Sequence, residues 1–377
     1  GNPQLGISVR GAAAGHTIRG NLIGFHNTTA VAYNGSVVSD LNFSGNEIRS
    51  SGLANSGSDN ISLLGTTLSN VAFTGNLLTE SRGTGLEIIS SSGAFRISNN
   101  TISNNGSGAA VGDLNAANVA IDGGGPYTSA QIEKNIISGA KQFGIEVGRF
   151  IGPLSNISIG GPGLGNRFFD NGDSGVTIAS STQSTRIKIS ENSFRANGGP
   201  AIDLNDDDVS PAEPSSGNSC PSSGLANHGI PRPKLTSAVL AGTTLTTSGL
   251  VCNAGTYDVE FYKVASGVPV GDGSPQAGEG EVFLGRLAGV TGGSFFNRPV
   301  AGVTGLTNTD RITAIAIRTD GATTVTIAYG DGSKLVVYPG SDLEISPPSG
   351  GVQGTELRSG MVRGSVEKAV AAAQTKG

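Results

Sequence analysis

Two carboxylates stand at equivalent positions of a short repeated motif in which two apolar residues flank one small or polar residue. Glu146 lies between Ile145 and Val147, and Asp203 lies between Ile202 and Leu204. Each copy is too short for a helix and alternates with a period of two, so it predicts a short strand whose middle residue points outward. The middle residues of the successive copies form one predicted column: Ser8, Ala32, Ser62, Glu87, Ala110, Glu146, Thr177 and Asp203.

The spacing of this carboxylate pair suits glycoside hydrolysis. Glu146 and Asp203 are two repeats apart, so strands stacked about 4.8 Å apart would separate them by about 10 Å. An inverting glycosidase holds its acid and its base about 6.5–9.5 Å apart. Arg149 and Lys188 are close enough in sequence to assist. The alternative is that both acids are isolated, solvated carboxylates. This interpretation is favoured because most of the column consists of Ser, Ala and Thr and because the chain has no Trp to stack on a sugar.

Further acidic residues cluster where the repeats end: Asp206, Asp207, Asp208 and Glu213 follow Asp203. Hard oxygen ligands suit Ca²⁺, so one interpretation is a calcium site formed by Asp206, Asp207 and Asp208. No complete D-x-[DN]-x-[DN]-G loop is present, and the other interpretation is a solvated acidic linker. No other cofactor is predicted.

The chain has two cysteines, Cys220 and Cys252. An even count in an otherwise Cys-free chain predicts one disulfide, which is typical of an exported protein. The bond would clamp the acidic segment to the region that follows it. The alternative is two unrelated buried thiols. Because there is no C-x-x-C motif and the three His are scattered, a metal site with Cys ligands is not predicted.

A second motif, apolar-x-x-Asn-x-apolar, alternates with the first. Its asparagines are Asn21, Asn46, Asn76, Asn100, Asn135 and Asn192, with a degenerate copy around Asn166. They are 24 to 35 residues apart, the length of one coil of a parallel β-helix. Aligned at a turn, they would form a structural ladder that satisfies turn backbone groups. We therefore predict an all-β chain with a parallel β-helix of about eight coils; a globular sandwich with fortuitous alternation is the alternative fold.

The pattern changes to longer alternating segments after residue 234. Strands are predicted at 235–240, 243–251, 257–264, 281–287, 311–318 and 323–329, separated by turn signals such as Asn253–Gly255. This number of strands predicts a small antiparallel β-sandwich. The predicted organisation is a parallel β-helix at 1–205, an acidic Pro/Ser/Gly-rich linker at 206–233, the sandwich at 234–332 and a tail at 333–377.

Composition excludes some partners. Charged residues make up 14% of the chain and the net charge is −5, whereas binding to nucleic acid requires a basic surface. No apolar run reaches the ~18–20 residues of a membrane span. The chain starts without the basic and apolar segments of a secretion signal, so we expect any such signal to have been removed or to lie outside it.

Two parts of the sequence resemble a known family of proteins. The run that contains NISIGGPGLGN, GVTIA and NGGPAIDLNDD resembles the coils of secreted bacterial right-handed parallel β-helix repeat proteins, in which a GIDL coil precedes an acidic linker. Here that coil reads Ala201-Ile202-Asp203-Leu204. The later segments YDVEFYKV and DRITAIAIRTDG resemble the β-sandwich that commonly follows such helices. The resemblance implies an exported, cell-surface or extracellular protein, but its superfamily includes lyases, glycosidases, adhesins and structural proteins.

The predicted function is structural: an exported, non-catalytic protein that assembles into a filament, an array or an adhesin rod. The alternatives are a polysaccharide hydrolase or lyase on the β-helix face and a carbohydrate-binding module carried by the sandwich. Self-association is expected because the first strand, 7–9, begins without a capping segment and leaves a backbone edge unpaired. The alternatives are that an upstream segment or the chain's own tail covers this edge. Residues 334–338 could add to such an edge in a neighbouring copy. Surface glycans are a further expected class of partner.

Overall fold

The computed structural model describes residues 6–35, 37–53, 57–109, 116–125, 127–149, 154–179, 184–207, 226–264, 278–307 and 309–319. It also describes the strand backbones at 325–326, 335–337, 342–345, 355–359 and 362–364. Strands dominate these residues, and a 3₁₀ helix spans Ala226–Gly229. The predicted all-β class is confirmed.

Three parallel sheets wind into a solenoid. Sheet A consists of β1 (Ile7–Arg10), β5 (Val31–Asn34), β9 (Ile61–Leu64), β12 (Leu86–Ile89), β15 (Val119–Asp122), β18 (Ile145–Val147), β21 (Val176–Ala179) and β24 (Ile202–Asn205). Sheet B consists of β2 (Ala13–Ala14), β3 (Thr17–Arg19), β6 (Val37–Ser39), β7 (Asn42–Ser44), β10 (Thr67–Thr74), β13 (Ser92–Ser98), β16 (Tyr127–Glu133), β19 (Ile157–Gly160) and β22 (Ile187–Ser190). Sheet C consists of β4 (Leu22–Gly24), β8 (Glu47–Arg49), β11 (Leu77–Thr79), β14 (Thr101–Ser103), β17 (Ile136–Ser138), β20 (Arg167–Phe169) and β23 (Ser193–Arg195).

Sheet C has seven strands, one per coil, and sheet A has eight. The number of coils is therefore close to the eight predicted. Inward-pointing residues of all three sheets form one continuous core. Aromatic side chains stack within it along the solenoid axis: the ring centroids of Phe43 and Phe73 are 5.8 Å apart, and those of Phe168 and Phe194 are 4.8 Å apart. Each coil therefore packs on its neighbours through these core side chains, as coils of a solenoid do.

The C-terminal region contains an antiparallel sheet. Its strands are β25 (Lys234–Ala241), β26 (Thr244–Val264), β27 (Gly280–Val300), β28 (Ile312–Arg318) and β29 (Val325–Thr326). The predicted turn at Asn253–Gly255 is wrong, because β26 runs through it. The extra residues are absorbed where the register against β27 shifts between Val251 and Thr256, and such a bulge bends a strand without ending it.

This antiparallel sheet covers the C-terminal end of the solenoid, and we call it the cap sheet. Tyr262 and Ile315 on its one face belong to the solenoid's core. Their neighbours in sequence, Phe261, Ala314 and Ala316, belong to a second core on the opposite face, as the alternation of a strand requires. The sheet is thus buried on both faces. The second sheet of the predicted sandwich stays a prediction.

The remaining described strands form two antiparallel pairs. β30 (Leu335–Val337) pairs with β33 (Val362–Gly364), and β31 (Asp342–Ile345) pairs with β32 (Thr355–Ser359). The segment predicted to add to a neighbouring copy contains β30, which has a strand of its own chain as partner. Residues 365–377 lie outside the described residues.

Candidate functional site

The predicted column of outward residues lies on sheet A. Parallel register places Ser8, Ala32, Ser62, Glu87, Ala120, Glu146, Thr177 and Asp203 on successive strands. The prediction of Ala110 in this column is wrong: β15 supplies Ala120 in its place. The motif Val119-Ala120-Ile121 has the required alternation and lies ten residues after the copy that was used for the prediction. Glu146 and Asp203 are two coils apart with Thr177 between them.

Both carboxylates are buried. Glu146 and Asp203 are 0% exposed, and Thr177 between them is also 0% exposed. Arg149 follows Glu146 by three residues and forms an ion pair with it, and the same guanidinium lies 3.0 Å from a carboxylate oxygen of Asp206. The guanidinium also lies 5.1 Å from the centroid of the Phe143 ring. One arginine thus bridges Glu146 of the column and Asp206, which follows the last strand of sheet A.

Burial dominates the electrostatics of Glu146. It raises the pKa of this carboxyl to about 8, although the charge and hydrogen bond of Arg149 lower it in part. The carboxylates of Asp206 and Asp122 raise the pKa further. No described residue donates a hydrogen bond to Glu146 Oε2. A buried acid with one oxygen unpartnered favours its protonated form at neutral pH.

The protonation of Glu146 would suit catalysis, but the burial of Glu146 and Asp203 opposes it. A glutamic acid that stays protonated near pH 7 can act as a general acid. A reacting group must also touch its substrate, and neither carboxylate has an exposed surface. Lys188, which was expected to assist, lies on β22 of sheet B, on a different face of the solenoid.

The asparagine motif places its side chains in one ladder between sheets B and C, which is buried from Asn46 onwards. In each of the first six rungs, the backbone N–H and the Nδ2 group of one Asn donate to Oδ1 of the Asn on the following coil, over distances of 2.8–3.1 Å. The seven rungs are Asn21, Asn46, Asn76, Asn100, Asn135, Asn166 and Asn192. Nδ2 of the later rungs also donates to a carbonyl of the preceding coil, as Asn76 does to Phe43 at 2.9 Å. Asn166, the degenerate copy, is a full rung.

A second amide network, which was not predicted, lies at the other end of the sheet C strands. Its buried asparagines donate from coil to coil through Nδ2: Asn60 to Asn105, Asn105 to Asn118, Asn118 to Asn171 and Asn171 to Asn197. Three of its members, Asn105, Asn171 and Asn197, follow a ladder Asn by five residues, and each precedes Gly. That Asn-Gly spacing is the signal that could have found the network.

Two carboxylates, Glu279 and Glu260, contact the last coil, and Glu279 ends the second network. The backbone N–H of Asn197 donates to the Glu279 carboxylate at 3.2 Å, and Nδ2 of Asn197 donates to it at 2.6 Å. Glu260 accepts from Ser190 Oγ at 2.7 Å and from the Glu191 backbone N–H at 3.0 Å. Arg286 binds both Glu260 and Glu191, with distances of 2.6 and 2.9 Å. Burial raises the pKa of Glu279 to about 7, against the opposing hydrogen bonds from Asn197.

The other predicted sites fall partly outside the described residues. Cys252 is buried in the cap sheet's own core, and Cys220 lies outside the described residues, so the disulfide stays a prediction. Asp208 also lies outside them, and Asp206 pairs with Arg149. Within the described ranges, no group of three or more His, Cys, Asp or Glu side chains is arranged to hold a metal ion.

Comparison with known proteins identifies the repeated region. A family model described as "Right handed beta helix region" matches residues 5–210, more than half of the chain. No curated protein matches the sequence. Among the residues that the structure describes, no helix is long and apolar enough to cross a membrane.

Proposed function

The chain belongs to the right-handed β-helix family, and from this we propose that it is a non-catalytic structural protein of the cell surface or the extracellular space. Domains of this family occur in surface proteins and in polysaccharide-degrading enzymes, so the family alone leaves the choice open. The rod would work by being stiff and by associating with copies of itself.

The main support for the proposal is that the two acids considered for catalysis are completely buried. Glu146 and Asp203 have no exposed surface, and Arg149 holds Glu146 against Asp206. Meanwhile the two amide networks and the aromatic stacks run through consecutive coils. Continuous buried networks stiffen a solenoid, which is what a structural rod requires.

The expected export has weaker support. The lone cysteine pair is typical of an oxidising compartment, and the low fraction of charged residues suits a surface that packs against copies of itself. Surface glycans remain a proposed class of partner.

The second candidate is a polysaccharide hydrolase or lyase, which the raised pKa of Glu146 favours. An acid that holds its proton to about pH 8 could protonate a glycosidic oxygen if a change of conformation exposed it.

An activity assay separates the two candidates. The full chain is incubated with a broad panel of neutral and acidic polysaccharides, and release of reducing ends and of unsaturated products is followed. We expect no product. Product release that Glu146→Gln and Asp203→Asn abolish, while Glu87→Gln on the same column does not, would establish the enzyme and refute the structural proposal.

A further inference from the structure

The sequence contains four Asn-Gly pairs, and in such pairs asparagine is chemically least durable. They are Asn34-Gly35, Asn105-Gly106, Asn171-Gly172 and Asn197-Gly198. The backbone nitrogen of a residue can attack the side-chain carbonyl carbon of a preceding Asn. Glycine favours this attack because it has no Cβ that obstructs its nitrogen or restricts its backbone. At each pair, the fold decides whether the reaction proceeds.

The reaction is a deamidation in two steps. In the first step, the glycine nitrogen bonds to Cγ of the asparagine and the bond between Cγ and Nδ2 breaks. The proton of the glycine N–H passes through solvent to the leaving nitrogen, so ammonia departs and a five-membered cyclic imide remains. In the second step, water adds to either carbonyl carbon of the imide and opens it to aspartate or isoaspartate. Both steps need water, and the first also needs the asparagine side chain to rotate towards the glycine nitrogen.

The last pair of the second amide network is held against this reaction. Asn197 is 3% exposed, and its Nδ2 group donates to the Glu279 carboxylate at 2.6 Å. The Gly198 N–H donates to the Asn171 carbonyl at 2.8 Å. Gly198 is packed so closely that a Cβ there would stand 2.2 Å from the carbonyl oxygen of Gly172. The leaving group, the attacking nitrogen and the space around them are therefore all fixed.

The other two pairs of this network are held in the same way. Asn105 and Asn171 are 1% and 2% exposed, and Nδ2 of each donates to the next asparagine of the network at 2.8 Å. The N–H groups of Gly106 and Gly172 donate to carbonyls of the preceding coil at 2.7 and 3.0 Å. A Cβ at these glycines would stand 2.8 and 2.1 Å from backbone atoms of another segment. Neither pair has room for the ring to close.

The pair Asn34-Gly35 differs in each of these respects. Asn34 ends β5 and is half-buried, and no described residue forms a hydrogen bond with its side chain. Gly35 is exposed with φ of 58°, and apart from its neighbours in sequence no atom lies within 4 Å of the place of a Cβ. One bond restrains the attacking nitrogen, from the Gly35 N–H to the Leu64 carbonyl at 2.8 Å. This pair thus has an unbonded side chain, room to rotate and access to water.

We propose that Asn34 is a site of spontaneous deamidation, and that the second amide network protects the three other Asn-Gly pairs from the same reaction. The product carries a new carboxylate, and Arg10 lies in register with residue 34 on the preceding strand, so a cation is available to pair with it. In isoaspartate the backbone between residues 34 and 35 is also one atom longer. This displaces the Gly35 N–H from Leu64 and loosens the corner of the coil. The reaction belongs to the chain itself and does not depend on the proposed function.

Peptide mapping of the full chain tests both parts of the proposal. The protein is incubated at neutral pH in water enriched in heavy oxygen, which labels the carboxylate formed when the imide opens. Cleavage after Lys and Arg places the four pairs in four different peptides, so one digest compares them by mass spectrometry. A parallel incubation in urea gives the reactivity of the unfolded chain.

In the folded protein, we expect Asn34 to be modified at least tenfold faster than the three network asparagines, as a mixture of aspartate and isoaspartate. In urea the four rates should become similar, because glycine follows each asparagine. The proposal would be overturned if Asn34 reacted no faster than the network asparagines in the folded chain. It would equally be overturned if the same differences persisted in urea, because the rates would then be set by local sequence and not by the fold.

A pair of variants tests the protection of Asn197 directly. Glu279→Ala removes the acceptor of the Asn197 Nδ2 group and should raise the rate at Asn197 several-fold while the rate at Asn34 stays unchanged. Glu279→Gln keeps an acceptor oxygen and should leave both rates near those of the parent chain. Glu281→Ala is the matched control, and circular dichroism checks that each variant is folded. An Asn197 that stays as slow in folded Glu279→Ala as in the parent chain would refute protection by the network's hydrogen bonds.

Discussion

Replacing Glu146 by glutamine should make the protein more stable at alkaline pH. Glu146 is fully buried, one of its oxygens lacks a described hydrogen-bond donor, and burial raises its pKa to about 8. Glutamine has nearly the same shape and no charge to bury. Arg149 keeps Asp206 as its partner in the variant, so the substitution leaves no arginine without a counter-charge.

The direction and the size follow from linkage. The folded protein binds the Glu146 proton more tightly than the unfolded chain, so the free energy of unfolding is highest below the ordinary pKa of 4.5 and falls as the pH rises to about 8. At about 1.4 kcal/mol per pH unit, the difference between these pKa values corresponds to a loss of about 5 kcal/mol. Glu146→Gln should lack this loss, so its stability relative to the parent should rise across the same interval and level off above it.

Urea unfolding followed by circular dichroism at pH 5, 6.5, 8 and 9 measures the effect. Only the difference between the two proteins matters, because titrations of other groups cancel in it. Glu87→Gln, on the same column but only partly buried, serves as the control and should give a nearly constant difference. Parallel stability curves for the parent and Glu146→Gln would refute the reasoning.

Two further predictions concern the amide networks. Asn76→Ala deletes the side-chain acceptor and donor of a buried rung and should cost about 1–3 kcal/mol, whereas Asn42→Ala, at an exposed strand position, should cost little; equal melting temperatures would remove the ladder as a source of stability. The raised pKa of Glu279, about 7, should make stability fall as the pH rises from 4.5 towards 7, and Glu279→Gln should remove that part of the fall. Amide exchange at Asn197 measures it, with the more exposed Glu281→Gln as the control, and identical pH profiles for all three proteins would contradict it.

Local patterns made the solenoid predictable. The strands alternate with a period of two, and their asparagines return once per coil, so the core positions and the rungs can be found without knowledge of the rest of the chain. The register of Glu146 and Asp203 follows from the same periodicity. The second network is harder to find, because Ser51, Ser81 and Ala140 occupy its positions on other coils and break the pattern.

Burial of Glu146 and Asp203 and closure of the last coil were not predictable in this way. Outward residues of a strand are exposed or buried according to what packs over them, and the strand's own pattern carries no information on that. The contacts of Glu260 and Glu279 join residues 69 to 82 positions apart in the sequence, and no repeat marks them. Ala110 was predicted in the column in place of Ala120 because the coils differ in length. A weaker motif ten residues earlier therefore matched the expected spacing.

The stacking of the coils also determines how the molecule fails under load. Under tension, a stack in which each coil touches only its neighbours comes apart one coil at a time, and the contacts of Glu260, Glu279 and Arg286 with residues 190–197 hold the last coil in place. Each coil that peels away releases about 80–90 Å of chain, from 24 or more residues at about 3.5 Å each. The remaining coils keep their ladder bonds while this happens. Such a rod lengthens in steps, and each step relieves part of the tension on whatever is attached to it.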